Sequence, residues 1–186
     1  MAWLRKTLRL PEPEETEELL AAMKPGAHGL TFPPLLAGKR GPGWADRANG
    51  TVAGLSIATE PVEILRAAME AIALRFALIA QRLDEAFPYE AGDREIVATG
   101  GGLLGSPAWT GIMADALGRP ITVSAVPETS SRGAALLALE ALGGPKVEEF
   151  EAPLGETHEP DPSRHELYRE ALERQRKLYD AVVKKG

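Results

Sequence analysis

The chain predicts an α/β fold, a mostly parallel sheet with helices packed on it. Two observations carry this. From residue 95 onward, short β-prone runs alternate with helical runs: Glu95 to Ala98, a helix ending at Gly118, Ile121 to Val126, and a helix ending at Gly143 and Gly144. Strand–helix–strand–helix of this kind implies parallel strands joined by crossover helices. Upstream, residues 61–87 form the strongest helix, with Val62, Ile64, Leu65, Met69, Ile72, Leu74, Phe76, Leu78, Ile79 and Leu83 spread over nearly every face. A helix apolar all round is buried on several sides.

In chain order, residues 2–9 read as the end of a helix stopped by Pro11 and Pro13, with Trp3 and Leu4 expected to pack. Residues 14–24 form a short amphipathic helix with Thr16 as its cap and Leu19, Leu20 and Met23 as its face. Residues 25–50 are irregular because Gly and Pro punctuate them, and a long structured loop of this kind is functional or interface-forming. Val52 to Ile57 suits a strand, and Pro61 suits a first helical position. Ser106 caps a helix that starts at Pro107, and Thr129, Ser130 or Ser131 caps the next. Residues 145–163 hold Pro153, Pro160, Pro162 and many acids and read as a surface linker. A last helix over 163–184 carries a stripe of Leu167, Ala171, Leu172, Leu178, Tyr179 and Val182. The expected organisation is a domain over 1–150, then a linker and C-terminal helix over 151–186 that pack on it.

Composition narrows the function classes. The 186 residues suffice for one sizeable domain, and the formal net charge is -6. An acidic chain with no clustered basic window, Lys39 with Arg40 being an isolated pair and Lys184 with Lys185 a short tail, does not suit nucleic acid. With no cysteine, disulfides, thiolate metal sites and cysteine nucleophiles are excluded. His28, His158 and His165 are scattered, so no metal site is expected. There is no signal-peptide pattern and no run of membrane-spanning length, so the expected location is the cytoplasm.

The sharpest chemical feature is TGGGLLGS, Thr99 to Ser106, after a strand and before a helix. Glycines let backbone N–H groups approach a ligand that a Cβ would push away, and a following helix start adds unpaired donors and partial positive charge. These suit a phosphate. Gly100, Gly102 and Gly105 also satisfy G-x-G-x-x-G, and Glu128 follows the next strand, which keeps a dinucleotide reading open. The few strand–helix units that follow do not complete a dinucleotide fold. A tight glycine turn with no ligand is the plain alternative.

Longer stretches carry a resemblance. GTVAGLSIATEPVEILRAAME, from Gly50 to Glu70, resembles the second conserved motif of the FGGY carbohydrate kinases. GLTFPPLLAGKRGPGW, Gly29 to Trp44, resembles that family's G-L-x-F-x-P-x-L-x-G-E-R-x-P loop. GGLLGSPAW followed by ADALGRP resembles its nucleotide segment, and SRGAALLALEALG, from Ser131, is similar to the next helix in its gluconokinase form. The tail from Glu159 to Tyr179 also looks gluconokinase-like.

The resemblance implies the C-terminal ribonuclease-H-like domain of the actin/hexokinase-type ATPases, truncated, with a mixed sheet and flanking helices. It implies phosphoryl transfer from ATP, with magnesium in the complete enzyme, to a sugar or sugar-acid hydroxyl. By the same resemblance Gly101 and Gly102 line the ribose and phosphates, Ser106 or its turn lies by the adenine, and Gly133, Ala134 and Ala135 pack close by; the expected nucleotide-binding residues are Gly100, Gly101, Gly102 and Ser106. The family's catalytic aspartate, sugar-binding domain and phosphate-holding glycine-threonine turn precede the matched region. No catalytic residue is therefore expected here. The expected partners are nucleotide, a separate N-terminal kinase half, and further copies of the chain. The alternative is a non-catalytic oligomeric scaffold.

The sequence departs from the family pattern at Gly111, usually Gln, at Lys39, usually Glu, and at Ala71, usually Gly. Glu70 is expected to be held by structural hydrogen bonds and Asp115 to be a helix-surface or sheet-contact residue. Lys39 and Arg40 read as a solvated loop pair, and Trp44 and Trp109 as core anchors.

Overall fold

The computed structural model describes residues 2–39, 44–88 and 94–183. Its helices are α1 (Ala2–Thr7), α2 (Pro13–Ala22), α3 (Pro61–Ala86), α4 (Gly101–Leu104), α5 (Pro107–Leu117), α6 (Thr129–Ala141) and α7 (Pro162–Val183). Its strands are β1 (Val97–Ala98), β2 (Ile121–Ser124) and β3 (Leu154–His158).

The sheet is mixed, in the order β1-β2-β3. β1 pairs parallel with β2 through Val97–Thr122 and Ala98–Val123. β3 pairs antiparallel with β2, from Ile121–His158 to Ser124–Leu154. β3 corrects the reading of 145–163 as linker throughout. Its residues are mostly exposed, so no apolar alternation marks it, and backbone pairing alone defines it. The bond between the Thr122 and Thr157 hydroxyls, 2.9 Å, reinforces that pairing.

α3 is the centre of the core. Its N-terminal half buries Leu65, Ala67, Ala68, Met69, Ala71, Ala73 and Leu74 against Leu20, Phe32, Ile112, Met113 and Tyr168. Its C-terminal half leaves Phe76 and Leu83 about half exposed, so the all-round burial holds only for the first half. α3 starts as its sequence requires: Pro61 occupies the first turn, and the Glu63 carboxylate accepts the Glu60 N–H at 2.8 Å. Asp84, near its end, pairs with Arg94 (3.1 Å) and Arg119 (2.8 Å), which tethers the segments leading into β1 and β2.

Other boundaries moved. Thr16 lies inside α2, whose N-cap is Glu12, and its hydroxyl donates to the Pro11 carbonyl. Among the described residues Val52 to Ile57 makes only an isolated bridge, Ala53 with Thr31. α6 is preceded by Glu128, so Thr129 is its first residue and none of Thr129, Ser130 and Ser131 is its cap. In α1 Leu4 is buried and Trp3 exposed. Along α7 the buried residues are Tyr168, Leu172 and Gln175, whereas Leu167 and Val182 face outward.

Candidate functional site

The glycine turn sits at the carboxyl end of β1, where open α/β sheets bind ligands. Gly100 has φ +89°, which a residue with a Cβ rarely adopts, and nothing lies within 4 Å of where a Cβ would be. The same open space surrounds Gly101. The turn continues as the single helical turn α4, closed by Leu103 and Leu104 N–H groups on the Gly100 carbonyl, both at 3.1 Å. By helix geometry the amides of Gly101 and Gly102 have no partner inside α4. They lie on an exposed surface.

Behind the turn the chain is closely packed. A Cβ on Gly102 would sit 3.1 Å from the Trp109 ring. Ser106 caps α5 as expected: its Oγ accepts the Trp109 N–H at 3.2 Å. It is also buried and donates to Glu17 Oε2 at 2.8 Å, while Glu17 Oε1 accepts the Ala108 N–H at 2.7 Å. The hydroxyl of Ser106 is thus committed inside the protein, and the residue shapes the turn instead of offering its side chain outward. Trp109 packs against the core, and its Nε1 is buried without a hydrogen-bond partner among the described residues. Trp44 is exposed, which corrects its reading as a core anchor. Gly133 faces open space, and Ala134 and Ala135 are exposed on α6, which buries no residue.

The carboxylate in the matched motif, Glu70, is structural. It is buried and accepts from Arg66 Nε (2.7 Å), His28 Nε2 (3.1 Å), the Gly26 N–H (3.2 Å) and the Tyr168 hydroxyl (3.3 Å). The Leu30 N–H donates to His28 Nδ1 at 2.9 Å, so the ring proton that faces Glu70 is on Nε2. Arg66 also donates to the Leu20 carbonyl (2.6 Å) and the Tyr168 hydroxyl (3.0 Å). Burial raises the Glu70 pKa, but the His28 hydrogen bond and the Arg66 charge outweigh it and hold the carboxyl below its ordinary range. Burial, together with the Glu70 charge, pushes the Tyr168 phenol far up. This network joins α2, the 26–30 loop, α3 and α7. In the sequence it is signalled by a carboxylate on a largely apolar helix and by the i,i+4 spacing of Arg66 and Glu70.

Asp115 is buried, which corrects the surface reading. It accepts the Asp161 N–H at 2.8 Å and lies 3.6 Å from Arg164, anchoring the start of α7. Burial raises its pKa against the pull of those partners. Lys39 stands 4.2 Å over the Tyr179 ring, whereas Arg40, Lys184 and Lys185 lie outside the described residues. Among the described residues no three His, Asp or Glu side chains group to hold a metal, and no helix is long and apolar enough to cross a membrane. A cavity of about 130 Å³ between α3, α5 and α7, lined in part by Gln81, Asp84, Arg119 and His165, includes none of the glycine-turn residues.

Comparison with known proteins gives the family. The model of the C-terminal domain of the FGGY family of carbohydrate kinases matches residues 1–142. A gluconokinase of Bacillus licheniformis is 32% identical over 164 residues, 87% of this chain and 30% of its own. A glycerol kinase of Aromatoleum aromaticum is 36% identical over 141 residues, 76% of this chain and 28% of its own. The solved gluconate kinase of Lactobacillus acidophilus superimposes with TM-score 0.80 at 25% identity, over 98% of this chain and 37% of that one. The chain thus spans about 30% of the length of the curated relatives it matches.

Proposed function

Because the chain belongs to the FGGY family of carbohydrate kinases, and shares the ribonuclease-H-like fold of its C-terminal domain, we infer that it binds ATP at the Gly100–Gly102 turn. The observation that carries this is the open, Cβ-free surface at Gly100 and Gly101, beside the unpaired amides that start α4. Those amides would hold phosphate or ribose oxygens, Gly102 leaves room for the Trp109 ring behind the turn, and Ser106 would keep the turn in shape from below. Bound ATP supplies the transferable phosphoryl group. No grouping of carboxylates among the described residues fits magnesium, so no step is assigned to it.

The acceptor is a sugar or sugar-acid hydroxyl, with gluconate the first choice. The base that activates it and the pocket that holds it lie on residues outside this chain. Phosphoryl transfer depends on positioning and charge stabilisation across both sides of a site, so this part alone does not turn over substrate. The sugar-binding half, as a separate chain or as part of the same one, docks where β1 has no outer neighbour among the described residues and where α6 exposes Leu137, Leu139 and Leu142. Without it, copies of the chain cover that surface. A cytoplasmic location goes with this reading.

The test is titration calorimetry of the chain with ADP, then an assay of ATP-dependent gluconate phosphorylation with and without a separately expressed N-terminal half of a gluconokinase. The expected result is ADP binding that Gly102→Asp weakens at least tenfold, and turnover only with the added half. Turnover by the chain alone, abolished by Gly102→Asp, refutes the division of labour.

A further inference from the structure

The amino end of α5 is already occupied from within the molecule. Both oxygens of Glu17 are used there, one by the Ser106 hydroxyl at 2.8 Å and one by the Ala108 N–H at 2.7 Å. A carboxylate so placed satisfies the unpaired donors and partial positive charge of a helix start, the features that elsewhere attract a ligand phosphate. Glu17 therefore puts a negative charge on this side of the glycine turn. On the other side, no carboxylate among the described residues is seen bonded to α4: its start is glycine, and Gly100 and Gly101 face open space. The two ends of one short segment therefore differ in charge, and a nucleotide also has a charged and an uncharged end.

We propose that Glu17 fixes the direction of a nucleotide across this turn, keeping phosphate off α5 and leaving that end to the base. This rests on the nucleotide-binding reading above and adds a positioning residue to it. Glu17 lies 89 positions from Ser106 in the chain and carries no motif, so only the folded contact identifies it. Like charges repel, so the part-buried Glu17 carboxylate disfavours a phosphate at α5, whereas the base is uncharged.

The experiment uses the full chain, its Glu17→Gln and Glu17→Asp variants, and two probes, pyrophosphate and ADP. Affinity is read by calorimetry and location by the amide resonances of Gly101, Gly102, Ala108 and Trp109. In the wild type, pyrophosphate shifts Gly101 and Gly102 and leaves Ala108 in place. Glu17→Gln binds pyrophosphate about tenfold more tightly, a size typical of one charge contact near a surface, and now shifts Ala108 and Trp109. Glu17→Asp keeps the charge and behaves as wild type, which a purely structural role for the longer side chain does not predict. ADP binding with equal pyrophosphate affinity in wild type and Glu17→Gln, or a wild-type Ala108 shift, overturns the role of Glu17 alone. No binding of either probe to any of the three proteins overturns the nucleotide reading, and this inference with it.

Discussion

Replacing Glu70 with alanine removes the one acceptor shared by Gly26, His28, Arg66 and Tyr168. Arg66 keeps the Leu20 carbonyl and the Tyr168 hydroxyl but loses its only counter-charge in the network, and its side chain is 3% exposed. Removing one partner of a buried pair costs about 3–5 kcal/mol, because the remaining charge is left uncompensated. For a domain of this size each kcal/mol lowers the melting temperature by roughly 2–4 °C, so the expected drop is about 6–20 °C. Urea denaturation followed by circular dichroism measures the loss. The companion is the double variant Arg66→Met with Glu70→Leu, which buries no charge and should recover about half of it. A loss below about 1 kcal/mol for Glu70→Ala, or a double variant no more stable than the single one, would show that the cost is not an orphaned charge.

Acid should act through the same carboxyl. Its folded pKa lies below the ordinary value of 4.5, so its contribution is complete above that pH and is lost as pH falls through the lower folded value. The stability gap between wild type and Glu70→Gln should be flat near neutrality and narrow below pH 4.5; a gap that persists unchanged through acid unfolding contradicts this. Asp115 has the opposite sign: its raised pKa makes the wild type gain on Asp115→Asn as pH falls through that value, measurable in the same titration. Gly118→Ala should cost about 1–3 kcal/mol, since φ is +67° there and a Cβ would lie 2.6 Å from the His165 ring. A urea midpoint within error of wild type would mean that the α5–α7 junction relaxes freely. Light scattering should find the wild type self-associated, and Leu137→Glu with Leu142→Glu monomeric; a monomeric wild type at micromolar concentration removes the case for self-association through α6.

Local chemistry made much of this protein legible from its residues alone. Pro61, Ser106 with Pro107, and Gly118 mark helix ends through backbone geometry that acts within a few residues, and each lies where it was expected. The glycine turn after β1 is of the same kind, and so are the ordered motifs that resemble the carbohydrate kinases. β3 could not be read this way, because an exposed edge strand owes its form to backbone bonds with β2 and not to its own side chains. Nor could the partners of Glu70 and Ser106: Tyr168 is 98 residues from Glu70, and Glu17 is 89 from Ser106. A buried carboxylate announces that it needs partners, since burial without them is too costly, but only chain closure decides which donors meet it. The sequence by itself determined the family and where the glycine turn lies. The tertiary structure decided that Glu70 is a latch between helices and that Glu17, not a ligand, occupies the start of α5, because both depend on distances that local residue patterns do not encode.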